Sequence, residues 1–244
     1  MKKLFTVFLM LSFLSMYFYG QDAVSIVRKV DRNEIYDSIK YEGEMIIELS
    51  GKKYVKTFYS YSKGTKNFFA EFINQDDAGT KYLKKDGNLY VYSPDTEEVI
   101  PITGHMLKES MMGSDMSYED TISNDTLESR YTPTIVEETK MDGKDVWVLE
   151  LIAKKKTESY PKQKMWVTKD TFNAIKVELF ALSGAKLKEQ TVTEVKKIGE
   201  RYFPTIVIMK DLLRKNSQTT FKMNKIEIDV NIPENTFSLR NLEK

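Results

Sequence analysis

The sequence contains no cysteine among its 244 residues. Disulfide bonds, thiol catalysis and a lipid attached to a cysteine behind an export signal are therefore excluded. A chain that leaves the cytoplasm without disulfides depends on its core for stability. Hydrophobic residues make up 41% of the sequence, and all-β chains of this length are often one domain.

Histidine is almost as scarce, since His105 is the only one. A zinc site with several histidines is thereby excluded, and a histidine-based triad is disfavoured. We expect His105 at the surface or at the start of a helix. The phosphate-binding pattern GxxxxGK[ST] is also absent. We therefore predict no catalytic residue, no metal and no cofactor, although a hydrolase using two carboxylates stays open because acidic residues are plentiful.

The sequence also has no large excess of charge of either sign, since it contains 37 basic and 36 acidic residues. No basic stripe or long charged tail interrupts this balance. The sequence therefore indicates neither a nucleic-acid partner nor an electrostatic tail.

The first twenty residues have the order of a secretory signal peptide. Lys2 and Lys3 precede an apolar run from Leu4 to Tyr19, and the run is somewhat short for a membrane span. We expect cleavage near residues 20–23 and a mature domain over 21–244. The alternative is an uncleaved anchor. With cleavage and no lipid-bearing cysteine, the expected location is the periplasm.

The rest of the chain predicts one helix followed by strands, with one or two further helices in a central insert that crosses the sheet as a lid or plug. Asp22–Ile39 has helical spacing of Ala23, Ile26, Val27 and Val30, which should lay one apolar stripe on a sheet. Alternating runs separated by turns such as Asp86-Gly87 and Asp142-Gly143 then predict 11–13 strands in hairpin order. The predicted fold is mainly β, α+β in class, with a strongly curved antiparallel sheet.

Two of the predicted strands carry large apolar groups on both faces. Either protein covers both faces, or one face lines a hydrophobic cavity. The small number of helical residues favours a partly open cavity with the insert across its mouth, and the alternative is an ordinary packed barrel or sandwich. If there is a cavity, residues that share parity within their strands should face it. Those residues are Tyr54, Phe58, Phe68 and Phe72.

The stretch Met111–Asp120 breaks the alternation in the middle of an insert at about 103–130. Ser117 and Asp120 have the spacing of a capping box. Gly113, Ser114 and Asp115 form either a hinge for a lid or an ordinary turn. Met106, Met111, Met112 and Met116 form either an adaptable ligand-contacting surface or simple packing between the insert and the sheet.

Several segments resemble the LolA-like outer-membrane lipoprotein-sorting proteins, in order and over nearly the whole mature chain. They are DDAGTKYL at 76–83, LYVYSPDTEEVIPI at 89–102, MMGSDMSYED at 111–120, KMWVTKDTFNAIKVELFALSGAKLKE at 164–189, FPTIVIMKD at 203–211 and the ending NTFSLRNLEK. The core GSDxSYED is the most specific. Met116 stands where the family usually has an aromatic residue, and no arginine matches the one that locks the lid of the well-studied shuttle.

The resemblance implies an unclosed β-barrel whose concave face, closed by helices, holds acyl chains. It implies a carrier rather than an enzyme, with an acylated lipoprotein or another lipid as cargo. An inner-membrane export system would be the donor and the outer membrane the acceptor, and we expect a monomer. The alternatives are a lipid-sensing module that signals to a protein partner, and the carboxylate hydrolase named above.

Overall fold

The computed structural model describes residues 22–121 and 125–243. The predicted signal peptide at 1–20 lies outside these ranges. Within them, thirteen strands form one antiparallel sheet in the order β6-β5-β4-β3-β2-β1-β13-β12-β11-β10-β9-β8-β7. β6 and β7 are the two outer strands and do not pair with each other, so the sheet stays unclosed. The predicted fold class and strand number are confirmed.

The strands follow the predicted hairpins closely. Their bounds are β1 Ile39–Leu49, β2 Lys52–Lys63, β3 Asn67–Phe72, β4 Lys81–Lys85, β5 Asn88–Ser93, β6 Glu98–Ile102, β7 Tyr131–Met141, β8 Lys144–Ala153, β9 Lys162–Thr168, β10 Ala174–Phe180, β11 Lys186–Ile198, β12 Arg201–Asp211 and β13 Ser217–Ile228. The helices are α1 Ala23–Glu34, α2 Leu127–Arg130 and α3 Leu239–Leu242, with short 3-10 helices at Gly104–Lys108, Met111–Gly113, Tyr118–Thr121 and Glu234–Phe237.

The first and last strands of the chain pair with each other in the middle of the sheet. β1 pairs with β13 from Ile39 to Leu49. Hairpins then extend from β1 to β6 on one side and from β13 back to β7 on the other. The segment between β6 and β7 therefore begins at one edge of the sheet and ends at the other, which is where the predicted insert at 103–130 lies.

Helix α1 packs on the half of the sheet formed by β7–β11. The carboxylate of Asp22 caps it by accepting the amide of Ser25 at 2.8 Å. Ile26, Val27 and Val30 are at most 1% exposed, so the predicted apolar stripe is confirmed. These three side chains belong to one hydrophobic cluster of that half.

The predicted end of this helix at Ile39 was wrong. The helix ends at Glu34, and Ile35 is already extended. Arg201 stabilises the break, since its Nη1 donates to the carbonyl of Ile35 at 2.6 Å. Tyr36 then packs on Phe203, with ring centroids 5.8 Å apart, and Ile39 begins β1. The contact with Arg201 and the packing of Tyr36 on Phe203 therefore end the helix earlier than its periodicity predicts. Periodicity reflects only the local spacing of apolar residues.

The two faces of the sheet are covered differently. The inner face carries α1 and the insert. The outer face of β3–β5 is covered by the C-terminal segment, whose Ile232, Phe237 and Leu242 bury Phe69 and Leu83. The sequence left open whether the two-sided aromatic strands are covered on both faces or line a cavity. Here the outer face is covered, and the inner face contains open space.

Within the described ranges, no helix has the length and apolar character needed to cross a membrane.

Candidate functional site

The main cavity lies between the insert and the inner face of β1–β4, β12 and β13. Its volume is about 400 Å³, within the range typical of small-molecule sites. Aromatic and thioether side chains dominate its wall. They are Tyr41, Met45, Phe58, Phe68, Phe72, Met111, Met116, Met209, Phe221 and Met223.

Three aromatic rings form the floor of this cavity. Phe58 and Phe72 are paired across β2 and β3, and their ring centroids are 5.4 Å apart. Phe58 also contacts Tyr41 edge-on at 6.2 Å. Its ring lies over Gly43, where an added Cβ would sit 2.5 Å from the ring. Because Gly43 has no side chain, the Phe58 ring has room to lie over the middle of β1.

A second cavity of about 370 Å³ adjoins the first and is more polar. It lies beneath α1 and the end of the insert. Thr65, Met116, Gln190 and Met209 line both cavities, so the two spaces meet around Met116. The wall of the second cavity includes carboxylate and hydroxyl groups, among them those of Glu34, Asp120 and Tyr160. Together the cavities offer an apolar chamber with a polar neighbour.

The structure brings most of the predicted ligand-binding residues together. Phe58, Phe68, Phe72, Met111 and Met116 line the main cavity. Met112 is partly buried and packs on the same hydrophobic cluster.

Tyr54 lies apart from these residues. It is on β2 near the β1–β2 turn, is 48% exposed, and is not among the residues that line the cavity. Parity within a strand identifies the face on which a side chain lies, but not its depth along the sheet.

The backbone of the insert is bent sharply at its methionines. Met112 has φ 54° and Gly113 has φ 78°, so two successive residues take the left-handed conformation. That conformation is costly for a methionine. The bend allows Met111, which is 5% exposed, to enter the cavity wall.

Gly113, Ser114 and Asp115 are fixed to the hairpin formed by β12 and β13. Asp115 is 1% exposed, and its carboxylate accepts the hydroxyls of Ser217 and Thr219 at 2.9 and 2.7 Å. Arg214 donates to the carbonyls of Gly113 and Ser114. The GSD segment is thus a tethered turn whose partners lie about a hundred residues further along the chain.

Ser117 and Asp120 make half of the predicted capping box. The Asp120 carboxylate accepts the Ser117 amide at 2.8 Å. The Ser117 hydroxyl also donates to that carboxylate, at 2.9 Å. Asp120 further accepts Lys188 at 2.6 Å and the hydroxyl of Tyr160 at 2.7 Å. Burial, and then the negative charge of Asp120, raise the pKa of Tyr160, so this hydroxyl stays a donor.

This network was missed in the sequence. Lys188 and Asp120 are 7% and 8% exposed in their side chains, and Lys188 belongs to β11. The ion pair fastens the end of the insert to the sheet beside the second cavity. Only the spacing of Ser117 and Asp120 was visible in the sequence, because nothing local marks Lys188 as a partner.

Lys84 places a positive charge in the wall of the main cavity. It is 5% exposed and lies on β4 on the same face as Tyr82. Burial, and then the nearby charge of Arg130, lower its pKa to about 8. Part of the protonated population is therefore lost at mildly alkaline pH.

In the described part of the chain, no group of three or more histidine, cysteine or acidic residues is placed to hold a metal ion.

The comparisons with solved structures match nearly the whole chain. A DUF1329 family protein from Desulfovibrio piger is 26% identical with a TM-score of 0.82, and the match covers 90% of this chain and 97% of that one. An outer membrane lipoprotein-sorting protein domain from Vibrio parahaemolyticus is 22% identical with a TM-score of 0.81, covering 91% and 98%. A LolA superfamily protein from Nitrosomonas europaea is 21% identical with a TM-score of 0.75, covering 91% and 100%.

No curated protein matches the sequence significantly. A family model described as "Uncharacterized protein" matches residues 64–244, which is more than half of the chain. The chain therefore belongs to the family of that model, and its fold is that of the LolA-like lipoprotein-sorting proteins.

Proposed function

We propose that the protein is a periplasmic carrier that shields the acyl chains of a lipoprotein or another lipid in the main cavity. It takes this cargo from an inner-membrane export system and passes it to an acceptor at the outer membrane. The observation that carries the proposal is the cavity itself. An aromatic and thioether chamber of about 400 Å³ remains open beneath a cover of protein.

The wall of the cavity fits an acyl chain better than a rigid ligand. Methionine side chains have three rotatable bonds and a polarizable sulfur, and they adapt to irregular apolar shapes. Met111, Met116 and Met209 lie in the wall. The polar second cavity adjoins the chamber at Met116 and would receive the linkage or head group of the same molecule.

The affinity of a carrier has to stay moderate. Transfer of an acyl chain from water is worth roughly 0.8 kcal/mol per CH₂, so complete burial of a sixteen-carbon chain would gain on the order of 12 kcal/mol. Such a gain would oppose release. Partial burial, or the cost of moving the insert, would reduce it. The insert includes the left-handed pair Met112 and Gly113, which supports a cover whose closed form is not free of strain.

The proposed location comes from the sequence. Positive charge followed by an apolar run in residues 1–20 is the pattern of an export signal. An exported chain without a lipid-bearing cysteine would operate between the two membranes, where a carrier is needed.

The test is to fill the cavity and measure lipid binding. Val207 lies on β12 and lines the cavity, whereas the next residue, Ile208, points to the other face of the strand. We expect Val207→Trp to weaken binding of a fluorescent fatty acid at least tenfold. Ile208→Trp is the matched control and should bind like the wild type.

Native mass spectrometry of protein purified without detergent gives the second readout. We expect co-purified lipid on the wild type and less on Val207→Trp. Absence of both co-purified lipid and saturable fatty-acid binding in the wild type would refute the carrier. Equal losses in the two tryptophan variants would place the lipid outside this cavity.

A further inference from the structure

Two neighbouring turns at one end of the sheet expose leucine side chains to solvent. Leu182, between β10 and β11, is 89% exposed, and Leu213, between β12 and β13, is 75% exposed. Leu212 beside it is 44% exposed. Single exposed apolar residues are common on proteins, so their placement and surroundings decide whether they matter.

The two turns lie side by side. β11 is the neighbour of both β10 and β12, and the Leu212 amide donates to the carbonyl of Leu187 at 2.8 Å. The first turn is closed by the Ala181 amide, which bonds to the carbonyl of Ala185 at 2.9 Å. Neighbouring strands are about 4.8 Å apart, so the two turns are offset by about 10 Å at the same end of the sheet.

A basic groove adjoins these turns. Lys52, Lys53 and Lys210 line an open groove between the β1–β2 and β12–β13 turns. Across residues 22–121 and 125–243, none of these three lysines makes an ion pair with a protein carboxylate. Glu48 is the one acidic residue lining the groove, and it accepts Gln218 at 3.3 Å.

The chemistry of the groove points to phosphate-bearing head groups, while the leucines fit the apolar layer beneath them. Lysines near a membrane contribute about 1 kcal/mol each toward an anionic surface, and shallow insertion of apolar side chains adds to this. Acidic residues at the same end lie to one side of the groove. Asp76 and Asp77 are in the β3–β4 turn, where Asp77 is paired with Lys56, and Asp95 and Glu97 are in the β5–β6 turn.

We propose that this end of the sheet docks on an anionic lipid bilayer. Leu182, Leu212 and Leu213 enter the interface, and Lys52, Lys53 and Lys210 contact the head groups. The surface adds a membrane-docking step to the proposed carrier. It is measured without any bound cargo, so docking and cargo binding succeed or fail separately.

The docking surface is connected to the cover of the cavity. The turn that exposes Leu213 also contains Arg214, which donates to the carbonyl of Gly113 at 3.0 Å and to the hydroxyl of Ser110 at 3.2 Å. The amide of Asp211 donates to Asp115 at 3.1 Å. Docking would therefore place the tethered Gly113–Asp115 turn of the insert next to the bilayer.

The experiment is co-flotation of purified protein with vesicles. One set contains phosphatidylcholine and about 25% phosphatidylglycerol, and the other contains phosphatidylcholine alone. We expect binding to the anionic set, with a loss of at least tenfold in about 0.5 M salt. Leu182→Ser/Leu213→Ser should lower binding at least fivefold, and Lys52→Gln/Lys53→Gln/Lys210→Gln at least tenfold.

Matched controls sit elsewhere on the sheet. Lys66→Gln/Lys144→Gln/Lys197→Gln removes three exposed lysines that lie in or next to turns at the opposite end of the sheet. Ile100→Ser/Val136→Ser removes exposed apolar groups from the edge strands. We expect both to bind vesicles like the wild type. Every variant is also titrated with the fluorescent fatty acid in the absence of vesicles.

The outcomes separate the two proposals. Unchanged vesicle binding in the leucine and lysine variants, or equal loss in the controls, would overturn the docking surface. Absent vesicle binding by the wild type would do the same while leaving the carrier intact. Weaker docking with unchanged fatty-acid binding supports the surface. Normal docking without fatty-acid binding would refute the carrier alone.

Discussion

Asp115 and the side chain of Thr219 bind each other through two hydrogen bonds. The Thr219 hydroxyl donates to the Asp115 carboxylate at 2.7 Å and accepts the Asp115 backbone amide at 2.9 Å. Both residues are at most 1% exposed. The insert is therefore held at a buried polar contact with β13, and not only by apolar packing.

Removing the carboxylate should loosen the insert and lower stability. Asp115→Ala leaves the hydroxyl of Thr219 and the amide of Asp211 without their acceptor. Hydrogen bonds to charged groups are worth about 1.5–3 kcal/mol each, so we expect a loss of roughly 3 kcal/mol in urea unfolding. Hydrogen exchange should accelerate across residues 104–121.

Asp76→Ala is the control, because Asp76 is exposed in the β3–β4 turn. We expect a change within about 0.5 kcal/mol. Equal stability of the Asp115 and Asp76 variants would contradict a structural role for this contact.

Arg214 should govern how long the cover stays closed. Its guanidinium reaches two carbonyls and one hydroxyl of the insert, and a lysine cannot reproduce that fork. We expect Arg214→Lys to raise the dissociation rate of a fluorescent fatty acid about tenfold, corresponding to about 1.4 kcal/mol. Stopped-flow displacement measures the rate, and an unchanged rate would argue against Arg214 as the restraint.

Lys188 and Asp120 should show strong coupling. Lys188→Met leaves the Asp120 carboxylate buried without its cation, and such losses typically cost 3–5 kcal/mol. The double variant Lys188→Met/Asp120→Asn removes the unpaired charge as well and should recover about 1 kcal/mol or more. Guanidinium unfolding of the four proteins in this cycle checks the prediction, and additive effects would contradict it.

Lys84 should make stability depend on pH. Its folded-state pKa of about 8 lies below the usual 10.5, so the unfolded chain binds more protons between these values. Stability therefore rises with pH in this window. Relative to Lys84→Met, the unfolding free energy of the wild type should increase by about 2 kcal/mol between about pH 8 and 10.

Comparison with a variant is needed because buried tyrosines titrate at higher pH. Lys66→Met is the control, since Lys66 is exposed in the β2–β3 turn. The difference in unfolding free energy between this variant and the wild type should not change with pH. If the difference in unfolding free energy between the wild type and Lys84→Met did not change with pH, burial would not destabilise the Lys84 ammonium group.

The strands were predictable because alternation and turn residues are local signals. Asp86 and Asp142 take positive φ before Gly87 and Gly143, as their hairpins demand. The strand order was not predictable, since the pairing of β1 with β13 joins residues almost two hundred positions apart. Local sequence carries no record of such a contact.

The cavity was predictable in part for the same reason. Parity grouped Phe58, Phe68 and Phe72, which all line the main cavity. It could not separate Tyr54, which shares their parity but lies near a turn. The partners of Asp115 and Asp120 could not be predicted either. Thr219 and Lys188 are distant in sequence, and no local pattern marks them as hydrogen-bond partners.

The position of the insert in the topology has a mechanical consequence. It joins Ile102, the last residue of one outer strand, to Tyr131, the first residue of the other. A chain segment spans at most about 3.3–3.6 Å per residue, so its length sets an upper limit on how far the two outer strands can separate. The same segment that covers the main cavity therefore also limits how far the barrel can open.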